Sequence, residues 1–321
     1  MKESRRGIAL LIVLWVITAL TVTAFSFTVL TRAESYGTAA FRQEREKKLL
    51  AEAGIERGIM ETIYRSVNRN QTMRLEGMEA WRPDGTAHAV DTGTGGYSVR
   101  ISDEAGKIPL NGLTDSSAAV LRKLLVNRGV ASEQADIIVD SILDWRDADD
   151  LHRLSGAESD YYLSLPRPYR AANRDFESLE ELILVRGVTP ELLYGTDATE
   201  GIIHSLTVYG KTGRVSINAA PREVLDALPG IDAAAVERVI AFRSSADIRG
   251  EADARALLGA AHPLTAPYIS TEADASPLFT VEARGYTDDP KKGYAARATI
   301  LLDRSHRYRI VYYKSPAEVR P

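Results

Sequence analysis

The chain has no cysteine, which excludes a disulfide framework, a thiolate nucleophile and any cysteine-based metal centre. Histidine is sparse: His88, His152, His204, His262 and His306 are scattered, and none falls in an H-E-x-x-H or other metal-ligand spacing. No G-x-S-x-G nucleophile turn and no phosphate-cradling glycine loop occurs. An excess of positive charge is also missing. Forty Lys and Arg against 44 Asp and Glu leave a net charge of -4, with no bulk basic field to hold a nucleic acid. On these absences an enzyme is not expected. What remains is an ordinary globular composition. Its 321 residues, 45% of them hydrophobic, suffice for one large core or two to three small ones.

The N-terminal segment carries the strongest signal. After the basic stretch Lys2, Arg5 and Arg6, residues Ile8 to Thr31 run for 24 residues without a charge. As a helix this run is about 36 Å long, enough to cross a bilayer core of about 30 Å. It is too long for a secretory h-region, and Thr23-Ala24-Phe25-Ser26 is a poor cleavage site. Two readings remain. One is a signal anchor, with the basic end cytoplasmic and the body outside. The other is a prepilin-like leader cut between Gly7 and Ile8, releasing an apolar helix that packs into a filament. Pilin-like proteins usually carry glutamate at the fifth mature position, and here that residue is Ile12. A carboxylate inside an apolar helix persists only if paired. In a filament its partner is the terminal amine of the subunit ahead, so its absence fits a tip subunit, which has none ahead.

The helix is expected to continue to about Arg65, since no proline interrupts it. Leu49, Ala53, Met60, Ile63 and Val67 share one face and are the expected core side. Residues 68–95 read as loop. A period-two strand follows at Tyr97–Ile101, and three more strands are expected at Leu278–Arg284, Ala295–Leu302 and Tyr308–Tyr313. The long stretch between them shows helical spacing at Ser116–Arg128, Ser132–Trp145, Ser178–Arg186 and Pro221–Leu228, with another helix starting at Pro190. The pattern is an α+β domain with a helical insertion.

Two parts of the insertion, Leu179–Pro190 and Val224–Arg243, each read as helix, glycine turn and second helix, the second closely resembling a helix-hairpin-helix. That motif can hold DNA phosphates. Here, however, the usual second glycine is Asp232, whose carboxylate repels phosphate. A second concentration of chemistry is acidic: Asp144, Asp147, Asp149 and Asp150, followed by Glu158. Hard oxygen ligands at this density suit calcium, although neither the glycine nor the closing glutamate of an EF-hand is present. The alternative is a solvated acidic turn.

Taken together, several segments are similar to the K-type minor pseudopilin family of type II secretion. They are Arg6-Gly7 before Ile8–Trp15, Leu143-Asp144-Trp145-Arg146-Asp147-Ala148-Asp149, Gly156-Ala157-Glu158 with Tyr161-Tyr162, Leu179–Leu182 with Val185-Arg186-Gly187, and Ser216–Ala220 before Glu223–Leu225. The resemblance spans nearly the whole chain in order. It implies a pilin-like α+β fold: a long N-terminal helix packed on a small antiparallel sheet, interrupted by a large helical, helix-hairpin-helix/SAM-like insertion. The corresponding organisation is leader 1–7, membrane or filament helix 8–31, amphipathic helix and first strand 32–110, insertion 111–205, second helical segment 206–265 and C-terminal strands 266–321. It further implies cleavage by the prepilin peptidase with N-methylation of Ile8. The precursor would sit in the bacterial inner membrane with its body in the periplasm. The I- and J-type minor pseudopilins and the major pseudopilin are its expected partners, with no nucleic acid among them. Calcium in the helical domain is expected from the same resemblance, with Asp144, Asp147, Asp149, Asp150 and Glu158 as ligands drawn from the local cluster. The competing readings are a membrane-anchored helix-hairpin-helix protein of DNA uptake and a metal-dependent extracytoplasmic enzyme.

Overall fold

A computed structural model describes residues 4–68, 81–196, 198–272 and 277–317. Helix α1 (Ser4–Asn68) runs for 65 residues without a break. The expected cleavage point at Gly7 and Ile8 lies in its first turns; Met1–Glu3 and all side chains before Leu10 fall outside the described residues. From Leu10 to Glu46 every residue is exposed, including the apolar run. Five antiparallel strands form one sheet: β1 (Asp84–Asp91) and β2 (Gly96–Asp103), then β7 (Leu278–Tyr286), β8 (Tyr294–Leu302) and β9 (Tyr308–Lys314), in that spatial order.

The last part of α1 packs across the centre of this sheet. Ala51, Ile55 and Ile59 are buried against Val99, Ile101, Val281, Ala283, Ala296, Ala298 and Ile300. The inward face therefore differs from the one expected from hydrophobic spacing. Leu49, Met60 and Val67 stay at least half exposed and Ala53 is exposed; of that set only Ile63 packs partly on the core. Two glycines decide the matter. A Cβ on Gly58 would stand 2.4 Å from Val281 Cγ1, and one on Gly54 2.8 Å from Ala283 Cβ. Glycine lets the helix backbone settle onto the strands, and the adjoining Ala51, Ile55 and Ile59 follow it inward.

A second correction concerns residues 68–95. Of these, 69–80 lie outside the described residues, but Asp84–Asp91 is an edge strand, not loop. Its composition hides it: Gly85, Ala87, His88 and Ala89 give no β-branched alternation, and pairing with β2 supplies what propensity does not.

The insertion leaves the sheet after β2 and returns at β7. Its elements are β3 (Ile108–Pro109), α2 (Ala118–Asn127), α3 (Ser132–Arg146), α4 (Ser159–Leu163), α5 (Pro190–Tyr194), β4 (Leu206–Thr207), β5 (Val215–Ser216), α6 (Arg222–Asp226), α7 (Ala233–Ser245), α8 (Gly250–Leu258), α9 (His262–Thr265) and β6 (Ile269–Ser270). Leu179–Leu184, expected as α-helix, is a 3₁₀ segment with a Ser178/Glu181 capping box. One apolar core runs from Ile108 to Ile269, so residues 111–205 and 206–265 share it. The exit and return points are neighbours, since Asp103 pairs with Phe279. Gly285, at the other end of β7, packs under Lys47 and Ala51. The insertion therefore springs from the end of the sheet farther from the apolar half of α1.

It also folds back over the sheet face opposite α1. Polar residues on that face, Glu282 and Arg297 buried and Tyr312 and Lys314 half-buried, meet polar partners from the insertion. Glu282 pairs with Arg297 at 2.6 Å and with His204 Nδ1 at 2.9 Å. Glu180 accepts from Tyr312 Oη at 2.8 Å and from Lys314 Nζ at 3.1 Å. Glu104, bound by Lys107 at 2.6 Å, also accepts from Thr207 Oγ1.

Candidate metal centre

The acidic cluster forms where α3 ends. Leu143 and Trp145 anchor the last turn in the core, and Trp145 stands edge-on to Tyr162 at 5.1 Å. Arg146 donates to the carbonyls of Leu110 and Leu113 at 2.7 and 2.6 Å, fixing the helix end against the start of the insertion. These anchors leave Asp144 fully buried and the following loop pointing outward.

Arg153 closes the loop. Its Nη1 lies 2.7 Å from Asp144 Oδ1 and 2.6 Å from Asp147 Oδ2, and its Nε lies 3.3 Å from Asp115. Burial would lower the Arg153 pKa, but the hydrogen bonds to Asp147, Asp144 and Asp115 outweigh it and raise it. Burial raises the Asp144 carboxyl, with Arg153 opposing. Gly156 makes room for this arrangement, because a Cβ there would stand 1.8 Å from Asp144 Oδ2.

Asp147, Asp149 and Glu158 converge, each placing one carboxylate oxygen within 4.8 Å of the others. Glu158 precedes α4 and is 1% exposed, and neither of its side-chain oxygens has a hydrogen-bond partner. Burial, then the charges of Asp144, Asp147 and Asp150, push its pKa up to about 7. A buried carboxylate without a donor is costly, and two more carboxylates beside it make the cost larger. A hard divalent cation resolves all three at once, so this oxygen-only donor set fits calcium.

Of the five ligands expected, the structure brings together Asp147, Asp149 and Glu158. Asp144 faces Arg153 instead, and Asp150 lies beside Asn173 at 3.5 Å. Arg153 was missed in the sequence. Its signal was a basic residue three positions after Asp150, which charge balance makes a candidate counterion. Asp160 stands apart, 3.0 Å from His152 Nε2.

The two helical hairpins are covered at their turns. Gly187 (φ +87°) packs on Ile138 and Gln134, and Gly230 (φ +78°) packs on Leu264. Asp232 accepts from Ala235 N at 2.7 Å and so caps α7. The DNA-uptake alternative is not favoured.

A spine helix on an antiparallel sheet, with a helical domain inserted between its second and third strands, defines a pilin-like α+β protein with an elaborated head. A family model described as "Type II secretion system (T2SS), protein K" matches residues 106–195. The chain is 31% identical over 204 residues to the type II secretion system protein K of Pectobacterium carotovorum, covering 60% of this chain and 61% of that one. It is 26% identical over 263 residues to the protein K of Pseudomonas aeruginosa, covering 79% and 77%. The match to the Pectobacterium relative thus spans less than two thirds of that protein. Among solved structures, a chain of the GspK-GspI-GspJ complex from enterotoxigenic Escherichia coli superposes with a TM-score of 0.56 at 15% identity, covering 87% of this chain and 99% of that one. The chain is thus similar to type II secretion system protein K over most of its length, and residues 106–195 match that family's model.

Proposed function

We propose that this chain is the tip subunit of a type II secretion pseudopilus. It would initiate or cap the assembly and so support protein secretion across the outer membrane. Its part would be structural, not catalytic. The observation that carries this reading is the position of the insertion at the end of the sheet remote from the apolar half of α1. A pilin-like subunit grows contacts along its spine helix, and a bulky head at that end obstructs a further subunit ahead of it.

The sequence of events follows from the helix. The uncharged run holds the precursor in the inner membrane with the body on the periplasmic side. Cleavage by the prepilin peptidase after Gly7 frees Ile8 for N-methylation. The exposed apolar half of α1 then exchanges lipid contacts for contacts with neighbouring helices. The related complex of known structure contains GspI and GspJ, and I- and J-type minor pseudopilins are the partners proposed here, with the major pseudopilin following behind. Calcium, held by Asp147, Asp149 and Glu158, would neutralise the buried carboxylates and stiffen the loop between α3 and α4.

The test is the intact mass of the protein taken from its native membranes. A chain that starts at Ile8 and carries one added methyl group supports the proposal. A chain that retains residues 1–7 would make α1 a permanent anchor and end it.

A further inference from the structure

We propose that the loop between α3 and α4 is a docking surface for a partner segment that presents basic and large apolar side chains together. The proposal deepens the reading of the insertion as the subunit's free head. Leu151 is 76% exposed and Leu154 102% exposed, whereas Leu143 and Trp145 just before them are 3% exposed. Single exposed leucines are commonplace. These two share one open depression of about 480 Å³, lined also by Asp115, Asp140, Asp147, Asp149 and Arg153.

The exposure is held in place by carboxylates of the loop and of α3. Leu151 N donates to Asp149 Oδ1 at 2.8 Å. Arg153 N faces Asp144 Oδ2 at 3.2 Å, and Ser155 N donates to Asp140 Oδ2 at 3.0 Å. The backbone is thus tied down beside each leucine, and the side chains are left outside. Apolar surface presented in this fixed way is what an interface core uses.

The surrounding charge selects the partner. With Arg153 and a divalent ion both counted, the carboxylates of the loop and of Asp115 and Asp140 remain in excess. Asp115 is 85% exposed in its side chain. A cationic segment is drawn to this rim, and an anionic lipid surface is repelled by it. The complementary ligand is a short peptide segment carrying lysine or arginine beside leucine-sized side chains.

The experiment uses the full chain in a nonionic detergent with calcium. The probe is a fluorescein-labelled pentapeptide of alternating lysine and leucine, read by anisotropy against detergent alone. The expected result is saturable binding that weakens at least tenfold in the Leu151→Ser/Leu154→Ser variant and several-fold in Asp115→Asn. A lysine–serine peptide and a glutamate–leucine peptide should each bind at least tenfold more weakly. The melting curve of the double variant should be unchanged, since neither leucine lies in the core. Equal binding by the double variant, equal binding of the acidic peptide, or preferential binding to phosphatidylcholine or phosphatidylglycerol vesicles would overturn the proposal. None of these results bears on the processing at Ile8, so failure here is separate from failure of the tip assignment.

Discussion

Glu282 on β7 and Arg297 on β8 face each other as cross-strand partners, and Arg297 Nε and Nη2 reach the same Glu282 oxygen at 2.7 and 2.6 Å. Both are under 10% exposed, in the layer where the sheet meets the insertion. Burial alone would raise the Glu282 carboxyl, but Arg297 and His204 hold it well below the ordinary carboxylate range. Glu282→Ala leaves Arg297 buried and uncompensated, at a cost of about 3–5 kcal/mol. Replacing Glu282 with Leu and Arg297 with Met together should cost far less, because no unpaired charge remains. Thermal unfolding of the three chains separates these cases, and equal losses in the single and double variants would refute the account.

Helix α1 provides a matched pair of glycine tests. Alanine in place of a helical glycine ordinarily stabilises by up to about 1 kcal/mol. At Gly37 nothing lies within 4 Å of the new Cβ, so Gly37→Ala should leave the melting temperature unchanged or raise it. At Gly58 the same atom would meet Val281 at 2.4 Å, and overpacking costs about 1–3 kcal/mol. Gly58→Ala should therefore lower the melting temperature, reversing the sign set by propensity.

Glu158 predicts a pH dependence tied to calcium. Its pKa rises on folding from 4.5 to about 7, so in the metal-free chain it contributes a penalty. That penalty is absent below pH 4.5, grows as pH rises to about 7 and is constant above, reaching about 3 kcal/mol. If calcium occupies the proposed site it takes the ionised form and offsets the penalty, so stabilisation by calcium should increase through the same interval. Glu158→Gln should flatten the metal-free profile between pH 4.5 and 7 and remove most of the calcium effect. A wild-type melt that does not respond to calcium at pH 8 would count against the cation site.

The face of α1 that stays outward has its own consequence. Leu49, Met60 and Val67 are exposed and apolar along one side of the helix. Met60→Asp should leave the melt of the isolated chain unchanged, since Met60 is 63% exposed. If this side meets neighbouring pilin-like subunits, the same substitution should reduce co-purification with the I- and J-type minor pseudopilins proposed as partners about tenfold. Undiminished recovery would place the contact elsewhere on the chain.

The elements that could be read in the sequence were those with local signals. The C-terminal meander was legible because Val281, Ile300 and Ile310 stand in β-branched, alternating runs separated by Asp289-Pro290 and Ser305-His306 turns. Helices α2 and α3 were legible from periodicity, and α7 as the second helix of a hairpin. The buried side of α1 was not, because its contact is made by Gly54 and Gly58, residues that carry no hydrophobic signal and act through what they lack. Strand β1 was hidden for a similar reason, its identity resting on pairing with β2. In the acidic loop, residue types marked the cluster in which Asp147, Asp149 and Glu158 converge, but spacing could not tell which carboxylates lie together. That depended on Arg153 reaching back nine residues to Asp144, a contact with no local signature. The polar seam of Glu104, Glu180, His204 and Glu282 was invisible because its members come from segments far apart in the chain.

The unbroken α1 has a mechanical meaning. Sixty-five residues make a shaft of about 98 Å, with no proline anywhere in it to serve as a hinge. Glycine contacts clamp its far third to the sheet, and the polar seam ties the sheet to the head. A thrust or twist applied at the apolar end therefore has no joint in which to dissipate. Lifting the shaft by one helical turn would raise the head by the same ~5.4 Å, so that shaft, sheet and head move as one rod.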